Sequence, residues 1–105
     1  MNGVLVVFAD PVDKNLEEEF NEWYSAVHVP QILKLPSFTS ARRFRLTPGG
    51  AAGPPAEYLT IYEVTDTSLA AGELTEAAQE GRLTMSEAIH VSAAVQGYFD
   101  ALPRD

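Results

Sequence analysis

Tyr24 and His28 stand four residues apart in the segment FNEWYSAVHVPQILKLPSFTSARRF, residues 20–44. At helical spacing such a pair lies one above the other, so a phenol and an imidazole can line one pocket. An imidazole with an ordinary pKa of about 6.5 exchanges protons near neutrality, and a tyrosine hydroxyl beside it can orient a substrate oxygen. Phe20 and Trp23 lie on the same stretch and can supply a flat apolar wall for an aromatic ligand, or serve as core packing. His28 also has a plainer reading, a cap on the last carbonyls of a helix.

The next strand candidate carries Arg42, Arg43 and Arg45. Alternation puts Phe38, Ser40, Arg42, Phe44 and Leu46 on one face and Thr39, Ala41, Arg43 and Arg45 on the other. One arginine set can enter a pocket and hold an oxyanion; exposed arginines on an edge strand that discourage aggregation are the alternative. Tyr62, Tyr58 and His90 are the remaining polar groups able to reach a cavity. The two histidines lack a clustered carboxylate or a His-x-x-x-His spacing, so no metal site is expected. Glycine-rich phosphate loops and a Gly-x-Ser-x-Gly elbow are absent as well.

These groups need elements to position them. Residues 3–9 (GVLVVFA) read as a strand buried on both faces. Asp13 or Asn15 can cap a helix whose apolar residues Leu16, Phe20, Trp23, Tyr24 and Val27 recur at helical spacing behind three acidic residues, Glu17 to Glu19. Val29 precedes Pro30, which predicts a break at His28 and a second helical piece from Pro30 to about Leu35. Phe38 to Leu46 and Tyr58 to Val64 follow as strands. Between them, Thr47 to Glu57 (TPGGAAGPPAE) is a loop long enough to act as a lid. A helix from Asp66 or Ser68 to a stop at Gly81 comes next, weakened by Gly72. Met85 to Ala88 forms a further turn or loop. His90 to Phe99 closes the chain as a strand, with Gly97 a candidate bulge.

The order strand, helix, strand, strand, helix, strand predicts an α+β, ferredoxin-like βαββαβ fold, a four-stranded antiparallel sheet with helices on one face, over one domain spanning 1–105. The uncovered face would expose a large apolar patch, which predicts a homodimer. Fifteen acidic against seven basic residues give a net charge of −8, which argues against nucleic-acid and anionic-membrane partners. The absence of cysteine excludes disulfides and thiolate chemistry. The apolar run at residues 4–8 is too short for a signal core or a membrane span, and Asn2 is not a myristoylation site; the expectation is a soluble cytoplasmic protein.

The stretch EFNEWYSAVHVPQILKLPSFTSARRFRL, followed by YLTIYEV, resembles the EthD-like branch of the dimeric α/β-barrel superfamily. His28, Val29 and Pro30 match its His-x-Pro motif, and Pro36, Ser37 and Phe38 match its Pro-Gly-aromatic turn, with Ser37 in place of the glycine. The resemblance implies two sheets packed face to face, with a largely apolar pocket in each protomer between helices and sheet. Its superfamily includes cofactor-free monooxygenases, polyketide cyclases, isomerases and haem-handling enzymes. What it implies here is a small cofactor-independent enzyme moving protons on an aromatic or polyketide-like molecule by cyclisation, isomerisation or dehydration, with His28 and Tyr24 catalytic. Phe20, Trp23, Arg42, Arg43, Tyr62 and His90 are the candidate substrate contacts. The alternatives are a non-catalytic dimeric ligand-binding or accessory protein, then a haem protein using His28 or His90, or a cofactor-free oxygenase.

Overall fold

A computed structural model describes residues 2–49 and 53–104. Four antiparallel strands, β1 (Gly3–Ala9), β2 (Phe38–Arg45), β3 (Tyr58–Val64) and β4 (Val95–Asp100), form a sheet in the order β2-β3-β1-β4. The helical elements α1 (Glu17–Trp23), α2 (Val29–Ile32) and α3 (Thr67–Gln79) complete the predicted ferredoxin-like architecture. Among the described residues no helix is long and apolar enough to cross a membrane.

β1 lies centrally, paired with β3 from Gly3↔Val64 to Ala9↔Tyr58 and with β4 from Gly3↔Asp100 to Phe8↔Val95. A β-carbon at Gly3 would collide with the Phe99 carbonyl, so the approach of β4 needs glycine there. Leu5, Tyr62, Ile32, Phe38 and Ala70 form one buried cluster on the helix side of the sheet, and Phe20, Trp23, Tyr24, Tyr58 and Ala9 form a second.

Local chemistry sets the helix ends. Asp13 accepts the Asn15 amide at 2.8 Å before a short 3₁₀ turn leads into α1, and Asp66 accepts the Leu69 amide at 2.9 Å at the start of α3. Beyond α3, Gly81 takes a left-handed φ of 71°, and the Arg82 amide reaches back to the Ala77 carbonyl at 2.9 Å, a Schellman closure. Ser37, where the family resemblance expects glycine, donates its hydroxyl to Glu73 at 2.6 Å and its amide to the same carboxylate at 2.9 Å. That serine therefore fastens α3 to the turn before β2.

Four expectations need correction. The helix does not break at His28: it widens into a π-helical turn, Tyr24–His28, in which the Val29 amide bonds the Tyr24 carbonyl five residues back. Val29 keeps helical dihedrals of −59° and −49°. Pro30 lacks an amide proton and its ring crowds the carbonyl four residues earlier, and the wider turn relieves that conflict without ending the helix.

In β2, a register shift between Phe38 and Ser40 pairs them with the consecutive residues Val64 and Glu63. This bulge turns Phe38 onto the helix side with Ala41 and Arg43, away from Arg42 and Phe44. Gly97 is no bulge, since it continues the ladder opposite Val6. Residues 90–94 are not strand: Val91–Ala93 is a short 3₁₀ turn, and this run of small residues follows a lone bridge from Ile89 to Pro11.

Candidate functional site

A cavity of about 260 Å³ lies between the sheet, the α1–α2 helix, α3 and the connection from α3 to β4. β1 contributes Leu5 and Val7, β3 contributes Tyr62, and β4 contributes Gln96. The helix contributes Tyr24, His28 and Ile32, α3 contributes Leu74 and Ala78, and the connection adds Leu83, Met85, Ile89, Val91 and Ala94. The walls are thus mostly aliphatic, with four uncharged polar side chains among them, the composition of a small-molecule site.

The π-helical turn delivers both Tyr24 and His28 to this cavity. Their rings meet edge to face with centroids 5.0 Å apart, and the imidazole is also stacked on Trp23 at 4.6 Å and 26°. Trp23 is itself pinned, because its indole N–H donates to the Thr84 carbonyl at 2.8 Å. Gln31 holds the same residue, accepting the Thr84 amide at 2.7 Å and donating to its hydroxyl at 3.0 Å. Leu83 and Met85 flank Thr84, so these bonds fix one wall of the cavity.

Two buried polar atoms on cavity-lining residues, His28 Nδ1 and the Tyr62 hydroxyl, have no hydrogen-bond partner among the described residues. Buried polar atoms are nearly always paired, so these two orphans are polar groups around the cavity whose hydrogen-bonding capacity the protein leaves unused. The Tyr24 hydroxyl is near enough to Tyr62 to influence its titration. Burial holds the Tyr62 and Tyr24 hydroxyls above the ordinary phenol range, so both stay protonated at neutral pH. Burial, with a smaller contribution from the Arg43 charge, lowers His28 to a pKa of about 4. Its imidazole is therefore neutral at pH 7, able to accept a proton but not to act as a standing imidazolium acid.

The structure brings some candidate residues together and separates others. Tyr24, His28 and Tyr62 share the cavity. Arg43 lies beside it: its guanidinium sits 4.3 Å from the Tyr24 ring centre and donates to Asn21 Oδ1 at 2.9 Å and Ser25 Oγ at 3.2 Å. Phe20, fully buried, and Trp23 pack in the core behind Tyr24 and do not line the cavity. Arg42 is exposed on the opposite sheet face, over the Phe44 ring. His90 is also exposed and outside the lining, its amide bonded to the Asp10 carbonyl. Tyr58 donates its hydroxyl to Glu17 at 2.6 Å, away from the cavity.

The described residues of the 47–57 loop border a depression with Asp10, Arg45 and Leu46 and none of them lines the cavity, while residues 50–52, the middle of the expected lid, lie outside the described residues; the segment from Leu83 to Ala94 supplies the wall. That wall, and Gln96, are the parts sequence reasoning missed. The apolar residues Leu83, Met85, Ile89 and Val91, recurring in a stretch without helical or strand period, were the available signal. A broader depression of about 440 Å³ near Asn2, Glu63 and Asp100 includes neither orphaned residue.

Solved structures share this fold. HapK from Hahella chejuensis aligns with a TM-score of 0.60 at 16% identity, covering 100% of this chain and 96% of its own. SnoaB, a cofactor-independent oxygenase from Streptomyces nogalater, aligns at 0.58 and 16% identity over 98% and 95%. An EthD family protein from Bacillus halodurans aligns at 0.54 and 17% identity over 97% and 99%, so the chain has the EthD-like fold its sequence resembles. No curated protein matches the sequence. The family described as "Domain of unknown function (DUF4286)" matches residues 8–87, the greater part of the chain, and the protein belongs to that family.

Proposed function

We propose that this protein is a cofactor-independent enzyme that moves a proton on an aromatic or polyketide-like small molecule held in the 260 Å³ cavity. The observation that carries the reading is the pair of orphaned buried atoms, His28 Nδ1 and the Tyr62 hydroxyl, on residues of one apolar cavity. A ligand carbonyl accepts the Tyr62 hydroxyl, and an acidic C–H or O–H of the ligand faces His28. The proton passes to Nδ1 while the electron pair moves onto the carbonyl oxygen, where the hydrogen bond from the Tyr62 hydroxyl stabilises the oxyanion. Return of the proton at another ligand atom completes an isomerisation, a cyclisation or, with loss of hydroxide as water, a dehydration.

A second reading, binding without turnover, is favoured by the low basicity of His28, since an imidazole with a pKa of about 4 is a weak base at pH 7. Solvent exchange separates the two. An aryl 1,3-diketone or aryl methyl ketone incubated in deuterium oxide should exchange its α-protons faster with the wild type than with His28→Ala. Binding without accelerated exchange supports the accessory reading.

The proposal includes a homodimer formed through the outer sheet face. Register places Val4, Val6, Phe8, Leu59, Ile61 and Phe99 on that face, opposite the helices. Phe99 is 58% exposed and Val95 49%, and an apolar sheet face of this extent is unusual on a monomer.

A further inference from the structure

Resting on the reading of the cavity as a ligand site, we propose that it selects uncharged aromatic hydroxy-ketones and esters and rejects the matching carboxylates. Among the described residues, no Lys, Arg, Asp or Glu lines the cavity. An anion entering it would lose its hydration without meeting a cation, the costliest way to bury a polar group. Arg43 does not supply that cation. Its guanidinium lies against the Tyr24 ring, outside the lining; the two terminal nitrogens donate to Asn21 and Ser25, and the buried Nε has no partner among the described residues.

The polar groups that do line the cavity are Tyr24, His28, Tyr62 and Gln96. They are matched by a neutral molecule that offers an acceptor to the Tyr62 hydroxyl and a polar hydrogen or lone pair to the His28 ring, according to its tautomer. The environment keeps both residues uncharged at neutral pH, consistent with a neutral guest. A volume of about 260 Å³ falls at the small end for ligand cavities, which limits the guest to about two fused rings.

Three probes with one ring system isolate charge: 1-hydroxy-2-acetonaphthone, methyl 1-hydroxy-2-naphthoate and 1-hydroxy-2-naphthoate. Binding is read at pH 7 from the His28 imidazole signals in NMR spectra, assigned with His28→Ala. The ketone and the ester should shift them and bind at least tenfold more tightly than the carboxylate. Tyr62→Phe should weaken the ketone and leave the carboxylate's weak binding unchanged. A carboxylate that binds as tightly as the ketone overturns the charge selection while the cavity stands as a ligand site. If none of the three perturbs His28, the ligand-site reading falls and the selection falls with it.

Discussion

The His28 imidazole is stacked on the Trp23 indole with ring centroids 4.6 Å apart, and Trp23 is the single tryptophan of the chain. This contact makes the protonation state of His28 readable from intrinsic fluorescence, because an imidazolium face to face with an indole quenches it more strongly than a neutral ring. Fluorescence at constant temperature should therefore fall as the pH is lowered through about 4, the value burial imposes on His28. His28→Phe should abolish that step. A midpoint near 6.5 in the wild type would show that the ring is hydrated.

The same displacement makes stability depend on pH. The unfolded chain binds the His28 proton near pH 6.5 and the folded protein only near 4, so between these values the unfolded state holds more protons. Stability is fully present above 6.5 and is lost as the pH falls toward 4, by at most about 3 kcal/mol. Carboxylates add their own losses in acid, so the informative quantity is the wild type minus His28→Phe. Urea unfolding at pH 7.0, 5.5 and 4.5 should show that difference narrowing against the wild type.

Tyr62→Phe separates a functional hydroxyl from a structural one. Tyr62 is fully buried and its hydroxyl is unpartnered among the described residues, so removing that oxygen removes a polar group whose burial nothing offsets. Denaturation should show stability unchanged or raised by up to about 1 kcal/mol. A loss above that size would mean the hydroxyl has a protein partner.

How much of this was legible in the residues varies by element. The spacing of Leu16, Phe20, Trp23, Tyr24 and Val27, the strand at 58–64 and the Asp66 cap depend on interactions within a few residues, and the sequence pattern shows them directly. The π-helical turn was not legible, because Val29 before Pro30 signals a break equally well. Whether the helix stops or widens depends on the sheet packed beneath it. The bulge at residues 38–40 likewise reversed the side on which Phe38 was expected, since one inserted residue inverts the parity before it. Of the two arginines weighed for the site, parity correctly separated Arg42 from Arg43 but could not say which side faced the helices. The cavity wall from Leu83 to Ala94 comes from contacts across the fold, such as Thr84 with Trp23 and Gln31, that no local pattern encodes.

Arg43 tests the electrostatics of the site. Its charge helps depress His28, and its guanidinium both covers Tyr24 and bonds Asn21 and Ser25. Arg43→Met should raise the His28 pKa, read by NMR titration of the imidazole, and lower stability by about 1–2 kcal/mol through the lost hydrogen bonds. Arg43→Lys keeps the charge and loses the planar fork, so it should destabilise similarly while leaving His28 low. Equal His28 titrations in all three proteins would show that burial alone sets the value.

The outer sheet face gives the last prediction. Phe99 and Phe44 are 58% and 39% exposed in the single chain, on strands at opposite edges of the sheet, so a partner covering both must span the whole face. Side chains this exposed contribute little to the fold of one protomer, but at an interface core an aromatic ring is the residue type whose loss is felt most. Sedimentation equilibrium should find the wild type as a dimer. Phe99→Asp and Phe44→Asp should each raise its dissociation constant at least tenfold, about 1.4 kcal/mol, with circular dichroism unchanged. A wild type that stays monomeric at high concentration overturns the dimer, and the exposed face must then meet some other surface.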